Sequence, residues 1–164
     1  MDNSYQEDVR GDSISLTLPF FHAFTGCDST CSFFRKTKPI LFKLWMSSPF
    51  KDVIAKAFHN FNWLLQKETV IEYFDTIEKF IVAAYKGDIN STIDVTRFNL
   101  FASLATGNLR EFPPSRNALQ MHILRTTFQS GWVWGNTLSA ENCPLVSEWG
   151  WNMIPEEDRL MLKW

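Results

Sequence analysis

Apolar side chains recur at helical spacing through the middle of the chain. Between positions 50 and 65, large apolar residues are three or four positions apart, as on one face of an α-helix. The same spacing returns between positions 70 and 84, and Gly87 follows as a stop signal. Both segments therefore predict helices that bury one face. Together with later segments they predict a core of Phe50, Val53, Phe58, Phe61, Phe74, Ile77, Phe101 and Ile123.

The second of these helices also carries acidic residues away from its apolar face, namely Glu68, Glu72, Asp75 and Glu78. Four carboxylates on one helix could resemble a metal-binding cluster, but their spacing is typical of a solvated helix face. We therefore predict that these side chains are exposed.

Two further helices are predicted at positions 93–105 and 115–138. The second begins at Ser115, whose hydroxyl can cap it, while Gly131 and Gly135 weaken its second half. Near the C-terminus, two apolar runs flank a Pro-Glu-Glu-Asp sequence that is typical of turns, so we predict a β-hairpin there.

The N-terminal part is less periodic. Positions 14–18 alternate apolar and polar residues, which predicts a short strand before Pro19. Positions 29–46 predict two short helices joined near Thr37. The small, polar turn between Gly26 and this pair leaves Asp28 as a candidate helix N-cap.

The chain has 164 residues, of which 45% are hydrophobic and 21% charged, and this composition suits one buried core. We predict a mainly α, helical single domain with a helix-hairpin-helix-like N-terminal part and a small C-terminal β-hairpin. The predicted boundaries are a flexible acidic tail at 1–18, the helical domain at 19–142 and a hairpin extension at 143–164 that packs on it.

A formal net charge of −2 argues against a globally cationic nucleic-acid binder. The basic cluster between Arg35 and Lys43 is the candidate for local binding, although such a cluster is also typical of a solvated helix face. Cys27, Cys31 and Cys143 do not have the spacing of a four-ligand zinc site, and we expect reduced, buried thiols.

One motif resembles a known family. Residues Phe21-His22-Ala23-Phe24-Thr25-Gly26-Cys27-Asp28-Ser29-Thr30-Cys31-Ser32-Phe33-Phe34-Arg35-Lys36-Thr37-Lys38, with Leu41 to Trp45 after them, resemble the HAFTGCDTTSAFFGKGK…LW signature of uncharacterised, transposon-associated invertebrate proteins. The Gly-Cys-Asp core is similar to the turn of flap-endonuclease-like (PIN-type) nucleases, where the Asp is one of several carboxylates around paired metals and a DNA-gripping helix-hairpin-helix follows. The resemblance implies Asp28 as a Mg²⁺ or Mn²⁺ ligand, and DNA-phosphate contacts from Arg35, Lys36, Lys38 and Lys43.

A second motif, PPSRNALQMHILRTTFQ at positions 113–129, resembles the same family's PPxxxALxxHxxRxxYQ helix. The family pattern thus covers about positions 20–164, and it often precedes a tesmin-type, zinc-binding cysteine-rich domain. We interpret His122 as a buried histidine with a backbone or water partner and Arg125 as a surface arginine beside it. The family-motif residues are His22, Gly26, Cys27, His122 and Arg125.

A two-metal nuclease site needs several carboxylates around ions about 3.5 to 4 Å apart, and nucleases of this kind take them from a large upstream region. Nineteen residues precede Phe20 here. We therefore expect a truncated, non-catalytic relative from a mobile element, with weak, sequence-independent DNA-backbone binding. Mg²⁺ or Mn²⁺ would bind through Asp28 only if a missing upstream domain supplied the other carboxylates.

The alternative is a helical protein–protein interaction module with no nucleic-acid role. No apolar run approaches the roughly 20 residues needed to span a membrane. We therefore expect an intracellular protein without a membrane partner, in the nucleus if DNA is its partner.

Overall fold

The computed structural model describes residues 14–63, 67–103, 108–135, 144–154 and 159–162. Within these ranges the chain is mostly helical and carries one two-stranded antiparallel sheet, which confirms the predicted mainly α single domain. The α-helices are α1 (Leu18–Phe24), α2 (Lys38–Ser47), α3 (Lys51–Trp63), α4 (Lys67–Ala84), α5 (Ile93–Ser103) and α6 (Arg116–Thr127). The strands are β1 (Trp151–Ile154) and β2 (Arg159–Leu162), and they confirm the predicted hairpin.

Helices α3 and α4 supply much of the core. The predicted core residues Phe58, Phe61, Phe74, Ile77 and Ile123 are buried, and Phe50 is partly buried against them. The prediction is wrong for two residues, because Val53 is 45% exposed and Phe101 is 63% exposed. Val53 lies one position outside the buried stripe of α3. Phe101 is exposed because α5 buries its first turn, through Ile93 and Thr96, and not its C-terminal half.

The predicted strand at 14–18 is wrong, because α1 begins at Leu18 with Pro19 in its first turn. Proline is tolerated there since the first amides of a helix have no intrahelical acceptor. The helix then buries Phe20, whose ring centroid lies 4.9 Å from that of Phe58 on α3. Thr17 is fully buried as well. The packed domain therefore includes residues of the segment 1–18, which the sequence predicts as a flexible tail.

The first of the two helices predicted at positions 29–46 is wrong, because in this part of the chain the helices are α1, which ends at Phe24, and α2, which begins at Lys38. Residues 25–37 form an irregular connection between them. Pro39 lies in the first turn of α2, as predicted.

Helix α4 ends where the chain reverses direction, and the sequence predicts Gly87 as the residue that stops it. Lys86, not Gly87, has the left-handed backbone conformation, with φ of 59°. The Gly87 amide closes the turn by donating to Val82 O at 2.9 Å. Glycine is needed at position 87 because a Cβ there would lie 2.5 Å from Thr96 Oγ1 on α5.

The acidic face of α4 is exposed at Glu68, Glu72 and Asp75, but the prediction is wrong for Glu78, which is buried. Its carboxylate accepts from the backbone N–H of Ile93 at 3.1 Å and from Arg116 Nε at 3.2 Å. Burial is tolerated because the charge is paired and lies at the N-terminus of α5.

Helix α6 begins as predicted, with Ser115 Oγ accepting from the Ala118 N–H at 3.2 Å. It continues into a π-helical segment, Phe128–Val133, instead of a regular α-helix. A Cβ at Gly135 would lie 2.3 Å from Gly131 O, so glycine permits this close approach after the wider turn. The predicted end of this helix, positions 136–138, lies outside the described residues, as do positions 1–13 of the predicted tail.

Candidate functional site

The polar turn after α1 folds back on that helix. Gly26 has a φ of +106°, and a Cβ there would lie 2.6 Å from Ser32 Cβ, so a side chain would be both strained and obstructed. Cys27 and Thr30 pair through their backbones, and Thr30 Oγ1 donates to Ala23 O at 2.6 Å. Asp28 lies exposed in this turn and does not begin a helix, so the N-cap interpretation is wrong.

The Lys38 ammonium caps the C-terminus of α1. Its Nζ donates to His22 O at 2.7 Å, to Thr25 Oγ1 at 3.1 Å and to Gly26 O. A cation at this end of a helix satisfies carbonyls that have no intrahelical donor. Burial lowers the Lys38 pKa, and the nearby Cys27 opposes that shift. Lys38 therefore joins α1 to α2 through contacts within the protein.

His122 joins the two family-like motifs. Its Nε2 donates to Phe24 O at 2.8 Å, and its ring lies 5.3 Å from the Phe24 ring and 5.2 Å from the Phe33 ring. Because a carbonyl can only accept, Nε2 carries the proton of the neutral ring. Burial lowers the His122 pKa to about 4; the bond to Phe24 opposes the shift and the charge of Arg125 adds to it. The predicted buried histidine with a backbone partner is confirmed.

Arg125 is buried, with 2% of its surface exposed, so the prediction of a surface arginine is wrong. Its NH1 donates to Gly150 O at 2.9 Å, and its guanidinium lies 5.8 Å from the centroid of the Trp151 ring. The segment that enters β1 covers the arginine, and burial lowers its pKa. His22, in contrast, is exposed beside the Trp134 ring.

A cavity of about 380 Å³ opens between the two motif segments and the end of α4. Its walls are largely aromatic and apolar, and among the described residues none that lines it is acidic. The lining residues that carry the chemistry are Phe34, Tyr85, Phe112, Arg97, Arg110 and Cys31. His122 and Arg125 also line it, so the contacts that join the motifs form part of its wall.

Several cations lie in or beside the wall of this cavity: Arg97 and Arg110 line it, and Arg35, Lys36 and Lys86 neighbour the lining residues Phe34 and Tyr85. We call these five residues the cationic rim. Lys36 Nζ lies 4.7 Å above the Tyr85 ring, and burial, followed by the charge of Lys86, lowers the Lys36 pKa. Burial raises the Tyr85 pKa to about 12, so this phenol stays neutral. Arg35 pairs with Glu111 at 3.0 Å, which partly offsets its charge.

The structure thus separates the basic cluster that the sequence presents as one group. Arg35 and Lys36 lie at the rim, Lys38 caps α1, and Lys43 is exposed on α2 and does not line the cavity. Sequence reasoning missed Lys86, Arg97 and Arg110 because they lie on three separate segments. No local pattern joins them.

The predicted metal ligand Asp28 is exposed, and within the described ranges no group of three or more His, Cys, Asp or Glu side chains could hold a metal ion. Cys27 and Cys31 are both free thiols, and Cys31 is exposed, contrary to the prediction of buried thiols. Burial raises the Cys27 pKa, but hydrogen bonds with Ser29 and Thr30 outweigh it, and the pKa is lowered. Cys143 lies outside the described residues.

No helix in the described part of the chain is long and apolar enough to cross a membrane. No protein-family model, curated protein or solved structure matches this chain. The chemistry of the cavity and its rim therefore carries the functional argument.

Proposed function

We propose that this chain is a non-catalytic nucleic-acid-binding module that holds the phosphate backbone on the cationic rim. The observation that supports this proposal is that Arg97 and Arg110 line a cavity whose described lining has no carboxylate, while the other three cations of the rim neighbour residues that line it. The chain as a whole has a net charge of −2, so this concentration of positive charge is local. A local positive field attracts phosphates even on a mildly acidic protein.

The rim suits backbone binding more than base reading. Guanidinium groups form charge-assisted, often bidentate, hydrogen bonds with phosphate oxygens, and the rim contains three arginines. Contacts of this type position a nucleic acid without distinguishing its sequence. Lys38 is left out of the proposed contacts because its ammonium already binds three oxygen atoms of the turn.

The test is the salt dependence of binding to a short duplex, measured by fluorescence polarisation. Each phosphate contact contributes about −0.9 to the slope of log affinity against log salt, so a few contacts give about −2 to −4. The double variant Lys86→Gln with Arg110→Gln should make the slope shallower by about 2. The matched control, Lys43→Gln with Lys56→Gln, removes two exposed lysines outside the cavity and should leave the slope unchanged.

Equal effects of the two double variants would mean that net charge, and not the rim, governs binding. Failure of the parent to bind duplex at low salt would overturn the proposal. In the same samples, Mg²⁺ or Mn²⁺ with branched DNA should give no cleavage above a buffer control. If the parent cleaves branched DNA and Asp28→Ala abolishes that cleavage, the proposal that the chain is non-catalytic is overturned.

A second candidate function is protein–protein interaction through α5. Three large apolar residues of this helix are exposed, Val95, Phe98 and Phe101, and they recur every third position on it. Exposed apolar residues grouped in this way are typical of interaction surfaces. Capture of one defined partner after nuclease treatment, lost in Phe98→Glu but kept in the Lys86→Gln and Arg110→Gln variant, would favour this function over nucleic-acid binding.

A further inference from the structure

The cavity inside the cationic rim has a chemistry that the rim alone does not explain. A surface that only follows a phosphate backbone needs positive charge, yet Phe34, Tyr85 and Phe112 line a space of about 380 Å³ behind it. That volume lies near the lower end of the range of about 300 to 1,000 Å³ for small-molecule pockets. A single nucleotide is a ligand of this general size class.

We propose that this cavity binds one unpaired nucleotide of a nucleic-acid strand, its base against the aromatic wall and its phosphate on Arg97 and Arg110. The inference rests on the proposed function and adds to it the strand type that the site accepts. Single-strand binders combine a cationic path for the backbone with aromatic side chains on which bases stack. Both elements are present here within one cavity.

Other ligand classes fit the lining less well. A free phosphate would leave the aromatic wall unused. A purely apolar ligand would leave the charges of Arg97 and Arg110 uncompensated, although Arg97 NH1 also donates to Pro113 O. A cation is disfavoured because arginine side chains line the space and none of its described lining residues is acidic. A nucleotide can contact both the aromatic and the cationic lining residues, since it joins a flat aromatic ring to a phosphate.

Phe34 is the residue best placed to show stacking. It lines the cavity, it is half-buried, and the Arg35 guanidinium lies 5.2 Å from its ring centroid. A cation over one face of a ring holds the ring in place. Because Phe34 is not in the buried core, replacing it should not unfold the domain.

Cys31 offers a direct readout of occupancy, because it lines the cavity and is exposed. In a Cys27→Ser, Cys143→Ser protein, its reaction with a maleimide can be timed with and without ligand. The probes are dAMP, a twelve-nucleotide single strand, ribose 5-phosphate and inorganic phosphate. With dAMP or the strand at ten times its measured Kd, labelling should slow about tenfold, in proportion to 1 + [L]/Kd.

Affinity measurements with variants provide the second arm. Phe34→Ala should weaken single-strand binding about tenfold, as the loss of one base–aromatic stack does, and should weaken duplex binding at the rim by a clearly smaller factor. The matched control is Phe98→Ala, which removes an exposed phenylalanine outside the cavity and should change neither. Thermal melts of both variants establish that the domain is folded.

The outcomes separate this inference from the proposed function. If Cys31 reacts equally fast with saturating dAMP or single strand while the duplex salt slope still depends on the rim, the cavity inference fails and the proposed function stands. Equal slowing by inorganic phosphate alone would replace the nucleotide with a simple anion. Absence of binding to strand and duplex at low salt, with no protection by dAMP, would overturn both.

Discussion

Acidification should destabilise the fold through His122, because a proton on this buried ring adds a charge with little access to water. The neutral ring donates from Nε2 to Phe24 O, and its pKa is about 4 in the folded protein, against an ordinary value of 6.5. Between pH 6.5 and 4 the unfolded chain therefore binds a proton at this residue and the folded chain does not. The free energy of unfolding should fall as the pH drops through this window, by about 1.4 kcal/mol per pH unit at most and about 3 kcal/mol in total.

Urea denaturation at several pH values from 7 to 4 measures this loss, and His122→Gln provides the comparison. The glutamine amide can still donate to the Phe24 carbonyl but cannot take up a proton in this range. The variant will be less stable at pH 7, because it loses ring contacts with Phe24 and Phe33. The quantity to compare is the pH slope, since every other titrating group is shared by the two proteins.

If the parent and His122→Gln lose the same free energy of unfolding between pH 6.5 and 4, the reasoning is refuted. Such a result would mean that His122 is protonated in the folded domain or that water reaches its ring. If the His122-dependent loss of free energy of unfolding stops at a pH between 6.5 and 4, that pH gives the folded-state pKa of His122.

Two further predictions concern stability. Phe61→Ala should lower the free energy of unfolding by about 3 to 5 kcal/mol, as large truncations in a core do. Val53→Ala, at a residue of the same helix that is 45% exposed, should lower it by less than about 1 kcal/mol. Urea denaturation of both variants measures this, and equal losses would contradict the assignment of the buried face of α3. Lys38→Met should lower the free energy of unfolding by about 1 to 2 kcal/mol, because the carbonyls of His22 and Gly26 lose their charged donor. It should leave the salt slope of DNA binding unchanged, and a slope made shallower by about 1 would mean that Lys38 contacts phosphate.

Short-range sequence patterns predict much of the fold. Apolar spacing predicted α3 and α4, Ser115 predicted the start of α6, and two apolar runs predicted the paired strands β1 and β2. Each of these features depends on residues within a few positions of one another. The failure at Pro19 is of the same local kind, since proline both ends strands and begins helices.

The failures in burial have a different origin. Glu78 is buried because Arg116 and the start of α5 meet its carboxylate, and Arg125 is buried because Gly150 accepts from it. Phe101 is exposed although its spacing is that of a core residue. Burial is decided by which element packs on which, and residue spacing within one helix does not contain that information.

The candidate site was the least predictable part. The sequence grouped Arg35 and Lys36 with Lys38 and Lys43 because they are close in the chain, whereas the rim combines the first two with Lys86, Arg97 and Arg110. The resemblance identified two motifs without relating them. The structure relates them through His122, which donates to Phe24 O and packs its ring against Phe24 and Phe33.

That hydrogen bond also constrains the order of events during synthesis on the ribosome. Its partners are 98 residues apart in the chain, and at about 5 to 20 residues per second the second partner is made about 5 to 20 s after the first. Helix α1 can pack on α3 within this interval, but His122 cannot cover the Phe24 carbonyl and the Phe33 ring until α6 has been made. A nascent chain of this protein therefore spends several seconds with an aromatic surface uncovered, when chaperones would have their opportunity to bind.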